Sequence, residues 1–157
     1  DLRRGGVLHD IGKLGIPDSI LLKQSKLTDI EWHVMQQHTL IGVQICGNLK
    51  SMRGTLPIIR SHHEKWDGSG YPNGLKGEEI PLPGRIIAVA DVFDALTTER
   101  PYKRAWSVED TVKLIDEQAG THFDPQLVPI MHSTLPEFLD IKERYEENSV
   151  PDLEQQL

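Results

Sequence analysis

Between Asp67 and Gly84 the chain carries five glycines, at 68, 70, 74, 77 and 84, and three prolines, at 72, 81 and 83. No helix or ladder strand survives that density, because proline removes a backbone donor and glycine adds backbone freedom. On both sides apolar residues recur at helical spacing, and no alternation of apolar and polar residues is long enough to argue for a sheet. The sequence therefore predicts an all-α chain interrupted by one long loop. A structureless segment of that length inside a compact domain is usually functional. The 157 residues, 38% hydrophobic and 26% charged, suit a single globular domain.

Helix signals are plain along the chain. A first helix is expected from Leu2 to about Lys13, with Gly15, Pro17 and Asp18 at its end. Thr28 and Glu31 form a capping box for a second, on which Ile30, Val34, Ile41 and Ile45 share a stripe up to Gly47 or Asn48. Pro57 opens a third that runs through Glu64. Arg85 to Thr98 is nearly all apolar over two turns and so predicts a central core helix. Ser107 and Asp110 cap a helix with Val108, Val112, Ile115 and Ala119 on one face, ending at Gly120. Asp124-Pro125 starts a short helix through Met131. The acidic segment from Asp140 to Leu157 predicts a surface helix fraying into disorder, which gives a domain over 1–136 and a tail over 137–157.

Charge and cysteine content narrow the chemistry. Seventeen Lys and Arg against 24 Asp and Glu leave a formal charge of −7, which argues against a nucleic-acid polymer or a basic membrane-surface role. The longest apolar stretch, Ile86 to Ala90, is too short to cross a bilayer. A single cysteine, Cys46, excludes an internal disulfide framework and a Cys-rich zinc site, and fits a reducing compartment. Seven histidines remain for metal chemistry.

Six candidate ligands and one lysine draw attention. His9 and Asp10 are adjacent, and Lys13, four residues after His9, falls on the same helical face, where its ammonium can meet a phosphate oxygen. The competing reading of His9 and Asp10 is a solvated pair at a helix end. His38 lies in the middle of the stripe from Ile30 to Ile45, as a metal ligand or as a core histidine bonded to a backbone carbonyl, whereas His33 points elsewhere and reads as surface. His62 and His63 abut the Gly/Pro loop. Asp91 sits inside an apolar helix, where an unpaired carboxylate costs several kcal/mol, so it needs a cation or a salt bridge to Arg or Lys. Together His9, Asp10, His38, His62, His63 and Asp91 are too many ligands for one tetrahedral zinc. They suit two six-coordinate ions, with iron or manganese favoured by nitrogen and oxygen donors without thiolate.

The run from Leu8 to Pro17 (LHDIGKLGIP) and the run from His62 to Pro72 (HHEKWDGSGYP) closely resemble the HD-GYP domain, a branch of the HD phosphohydrolase superfamily. The likeness continues through Lys26-Leu27-Thr28, Glu31-Trp32, His38, Arg85 to Thr97, Arg100 to Lys103 and Gly120 to Pro125. It implies an HD-type helical bundle with a GYP loop, in a cytoplasmic bacterial phosphodiesterase that hydrolyses cyclic di-GMP to pGpG and onward to GMP. The implied cofactors are two or three divalent ions held by His9, Asp10, His38, His62, His63 and Asp91, with Asp10 bridging. Asp10 and Lys13 would be catalytic; Lys13, Arg100 and Lys103 would contact substrate. Gly70, Tyr71 and Pro72 would meet partners of the GGDEF cyclase type.

Thr39 stands where the family usually has proline, and Gln24-Ser25 replaces a common Pro-Gly turn. Family members carry a further helix pair, with another His ligand, ahead of the His-Asp motif. Here only eight residues precede His9, so an N-terminally truncated domain is expected, taken from a parent protein with an upstream sensory or receiver domain. The alternative to an enzyme is a catalytically impaired module that binds cyclic di-GMP or a GGDEF partner.

Overall fold

A computed structural model describes residues 1–99 and 104–147, and within them every regular element is helical, as expected. Helix α1 (Leu2–Leu8) stops short of Lys13. His9 and Asp10 instead form the corner between α1 and a 3-10 turn, Ile11–Gly15. Packing explains the early stop. The turn lies directly on α4 (His38–Gly47), and a Cβ on Gly12 would run into the His38 carbonyl and the Gly42 amide, so only glycine permits this approach.

A short α2 (Asp18–Leu21) leads to α3 (Asp29–Gln36). The predicted capping box is formed: the Glu31 amide donates to the Thr28 hydroxyl at 3.3 Å, and the Thr28 amide donates to the Glu31 carboxylate at 2.8 Å. The single helix expected up to Gly47 is in fact two. The Gln37 amide donates to the Val34 carbonyl at 3.1 Å, closing a tight last turn, and α4 restarts in a new phase. Its buried face is therefore His38, Thr39, Gly42 and Cys46. Ile30 (80% exposed) and Ile45 (44% exposed) do not share it, which corrects the stripe read from spacing. Glycine stands at position 42 of that face because α4 lies there against the Gly12 backbone and the Ile59 side chain, leaving no room for a larger residue.

Pro57 occupies the first turn of α5 (Leu56–Ser61), which ends at His62. The loop that follows contains one 3-10 turn, Gly77–Glu79, and then α6 (Leu82–Thr97) begins three residues ahead of Arg85, with Pro83 accommodated in its first turn. Next come α7 (Val108–Glu117), α8 (Leu127–Ser133) and α9 (Leu135–Glu147). Ser107 caps α7 by accepting the Asp110 amide at 3.0 Å. Asp124 accepts the Gln126 amide at 2.8 Å ahead of α8. The expected fraying beyond residue 147 lies outside the described residues.

Val89, Phe93, Ile115, Phe123, Val128 and Met131 form the core, with Val108, Val112 and Ala119 of the predicted α7 face packed on it. Phe138 of α9 meets Phe93 edge to face at 5.3 Å. Successive helical residues turn by about 100°, so on α6 Asp91 points away from Val89 and Phe93. One helix thus serves the core on one side and a polar cluster on the other.

Gly12→Ala should lose at least about 1–3 kcal/mol of stability, because main-chain atoms must move to admit the methyl group. Gly47, whose Cβ would meet nothing within 4 Å, provides the contrast. Urea denaturation of Gly47→Ala should show a gain of up to about 1 kcal/mol from reduced backbone freedom in the unfolded chain.

Candidate metal centre

The corner after α1, the start of α4, the end of α5 and the middle of α6 bring the six singled-out residues together. His38 Nε2 lies 3.4 Å from Asp10 Oδ1 and 3.4 Å from His62 Nε2, and His62 Nε2 lies 3.9 Å from the same carboxylate oxygen. Donor atoms of Asp10, His38, His62 and His63 all fall within 4.8 Å of one another. His9 and Asp91 adjoin this group: His9 Nε2 is 3.5 Å from Asp10 Oδ2 and 3.5 Å from Asp91 Oδ1.

Three imidazoles are oriented by one device. His9, His38 and His62 each donate Nδ1–H to the carbonyl three residues back, on Gly6 (2.5 Å), Met35 (2.8 Å) and Ile59 (3.0 Å). A carbonyl only accepts, so a proton belongs on Nδ1, and on the His38 and His62 rings the Nε2 lone pair faces the cluster. The two readings of His38 therefore describe the two nitrogens of one ring. The lone pairs of His38 and His62 converge on Asp10 Oδ1, a buried oxygen without a hydrogen-bond partner. Electron-rich atoms this close repel unless a cation lies among them. The donor set of imidazole nitrogen and carboxylate oxygen suits a divalent transition metal.

Burial lowers His62 to a pKa of about 4 and His63 to about 3, and lowers His38 as well, so these rings are neutral near pH 7 and available as ligands. Burial acts against charge on His9 too, but hydrogen bonds to Asp91 and the Gly6 carbonyl raise it. Asp10 is held low, burial being outweighed by the bond from Lys13 Nζ to Oδ2 at 2.5 Å. Asp91 is likewise lowered, with His9 outweighing burial. Among the described residues no Lys or Arg pairs with Asp91, and its partner there is His9. His9 and Asp10 are half-buried rather than a solvated pair. His33 is exposed, as expected. Lys13 is 40% exposed at the rim, on Asp10. Arg100 and Lys103 lie outside the described residues.

Gly70, Tyr71 and Pro72 are half-buried, and the Tyr71 ring faces inward, stacked on His63 at 4.8 Å and 29° and lying 6.3 Å from His38. Holding it there is a residue that the sequence reading passed over. Glu64 is 2% exposed, and its two oxygens accept the amides of Asn73 (2.8 Å) and Leu75 (3.0 Å). An acidic residue between a His pair and a Gly-rich loop was the available signal, since such loops leave amides in need of acceptors. A second missed brace is Arg85, which pairs with buried Asp124 at 2.7 Å and lies over the Trp66 ring at 5.7 Å. It ties the start of α6 to the loop.

Glu64→Ala would strand two amides, at a cost of about 2–4 kcal/mol. Hydrogen exchange at Asn73 and Leu75 should accelerate accordingly. A second expectation concerns pH. His62 and His63 have folded-state pKa values below the unfolded 6.5, so between roughly pH 6.5 and pH 4 the unfolded chain binds more protons and stability falls on acidification. Raised His9 offsets part of this, and lowered Asp10 and Asp91 add to it only below about pH 4. The urea midpoint of metal-free protein should drop between about pH 7 and pH 4.5; a flat profile would contradict buried neutral imidazoles.

Comparison with known proteins adds a lineage. A family model described as HD domain matches residues 1–127. The chain is 47% identical over 143 residues to 3'3'-cGAMP-specific phosphodiesterase 2 of Vibrio cholerae, covering 90% of this chain and 27% of that protein. It is 51% identical over 124 residues to the cyclic di-GMP phosphodiesterase response regulator RpfG of Xanthomonas campestris, covering 77% and 32%. Against a cyclic di-GMP phosphodiesterase of Thermotoga maritima it is 45% identical over 139 residues, covering 87% and 38%. The chain thus spans well under half the length of these relatives. A crystal structure of the cyclic GMP-AMP phosphodiesterase V-cGAP3 of V. cholerae shares the fold, with a TM-score of 0.65 at 24% identity over 99% of this chain and 44% of that one. With the family match running from the first residue through the whole metal cluster, the chain belongs to the HD domain family.

Proposed function

We propose that this chain is the catalytic domain of a metal-dependent phosphodiesterase that opens a cyclic dinucleotide, cyclic di-GMP first of all, to the linear pGpG and then to GMP. The observation that carries the reading is Asp10 Oδ1, buried, unpartnered and faced by the Nε2 atoms of His38 and His62. His38, His62 and His63 with Asp10 would hold one ion, and His9 and Asp91 with the other side of Asp10 a second, of iron or manganese. Bound there, such ions supply Lewis-acid charge and a nucleophile at neutral pH.

The rest is work for this chain's own residues. Asp10 presents Oδ1 to His38 and His62, and Oδ2 to His9 and Lys13, so it is the bridge between the two lobes. Lys13 Nζ, half out of the protein, is where a non-bridging phosphate oxygen finds a positive charge that the chain's overall −7 does not provide. Arg100 and Lys103 would meet the second phosphate. Tyr71 closes one wall and keeps water from the outer side of His63. Gly70 and Pro72 are the loop positions offered to a GGDEF-type partner. We assign the domain to 1–136 together with the start of α9, whose Phe138 packs on Phe93, and the rest of the acidic segment 137–157 to a helix and tail, within a cytoplasmic bacterial signalling protein that also carries a sensory or receiver domain.

Anaerobic incubation of the manganese- or iron-loaded protein with cyclic di-GMP, and in parallel with 3'3'-cGAMP, should yield linear dinucleotide on chromatography. Loss of even an outer hydrogen-bond partner of a metal ligand costs about 10–100-fold, so His62→Ala should fall by more than about a hundredfold and lose metal. Saturable binding without product would contradict hydrolysis and leave a binding module. Full metal content and activity in His62→Ala would remove the assigned site.

A further inference from the structure

Trp32 is a large aromatic residue left 47% exposed one ring away from the metal cluster. It meets Tyr71 edge to face, with centroids 6.0 Å apart at 80°, and Tyr71 in turn stacks on His63. Beyond that edge-to-face contact, close to half of the Trp32 side chain is open to solvent beside the site. Both supports are rigid. Tyr71 stands on the loop anchored by Glu64, and Trp32 stands in the first turn of α3, fixed by the Thr28 cap. The adjacent Glu31 carboxylate is bound by Lys23 Nζ at 2.6 and 2.7 Å, so the one acidic neighbour in sequence is neutralised toward an anionic ligand. Trp66, by contrast, already carries the Arg85 guanidinium over its ring.

We propose that Trp32 is a substrate-binding residue on which one purine base of the cyclic dinucleotide stacks while a phosphate reaches the cluster, an assignment that rests on the reading of the site given above. Stacking on an aromatic face is how proteins hold a base without demanding its hydrogen-bonding edge, because every base has a π face. This residue would therefore strengthen binding of guanine- and adenine-containing substrates alike and leave their discrimination to other groups.

The test compares Trp32→Ala, Trp32→Leu and Trp32→Phe in metal-loaded protein, with Kd for cyclic di-GMP from calorimetry and KM and kcat from product formation. Loss of one base–aromatic stack is expected to raise Kd and KM about tenfold in the Ala and Leu variants, with Phe within about threefold of wild type and kcat moving less than KM. Leu is branched and apolar but has no π face, so equal rescue by Leu and Phe would show that Trp32 only packs, and overturn the proposal. Unchanged Kd and KM in Trp32→Ala would also overturn it, while the phosphodiesterase reading stood. Wild-type protein that binds no cyclic dinucleotide would instead defeat that reading, and this inference with it.

Discussion

The backbone of Gly12 rests on the backbone of α4, and the geometry of the cluster follows from that contact. A side chain at position 12 would strike the His38 carbonyl and the Gly42 amide, so the His9–Asp10 corner can reach the first residue of α4 only because position 12 has none. Gly42 is a second such position on the same face of α4, where a Cβ would strike the Ile59 side chain of α5, the helix that delivers His62 and His63, and crowd the Gly12 amide. Cores usually set helix separations by interlocking side chains. Here glycine draws three chain segments within reach of one carboxylate oxygen, with Ile58 and Ile59 filling the space around them, while the aromatic core lies elsewhere, around Phe93, Ile115 and Phe123.

That division of labour resolves the tension between an acidic chain and the anionic substrate proposed for it. His38 and His62, anchored through Nδ1, arrive as neutral donors, and Asp10 and Asp91 bring negative charge to a place where, among the described residues, His9 and Lys13 answer it. The arrangement is unfavourable for the chain alone and favourable around cations. Two bound divalent ions would turn the local field positive without altering the sign of the molecule as a whole.

Most helices and all six cluster residues were legible in the sequence because their signals are local: caps at Thr28 and Ser107, proline in the first turn of α5, and a carboxylate inside an apolar run at Asp91. The features that escaped depend on contacts far apart in sequence. Gln37 carries no breaker signal, so the change of phase between α3 and α4 was hidden, and Ile30 and Ile45 were placed on a stripe that does not exist. The corner at His9 was read as helix because the demand on Gly12 comes from α4, not from its own neighbours. Glu64 has the look of any surface glutamate until the loop folds over it. Nothing local to Tyr71, which the resemblance makes part of a partner loop, announces that its ring stacks on His63.

The central claim is that the electron-rich convergence on Asp10 is a cation site, and it is tested most directly by titrating metal-free protein with Mn(II) and reading free Mn(II) by electron paramagnetic resonance. Wild type should take up close to two ions per chain. Asp10→Asn, which keeps the shape and removes the charge, should lose saturable uptake at micromolar metal while retaining its helical circular dichroism. Equal uptake by the two proteins would contradict the account, because the ions would then be held by something other than the carboxylate at which the helices converge.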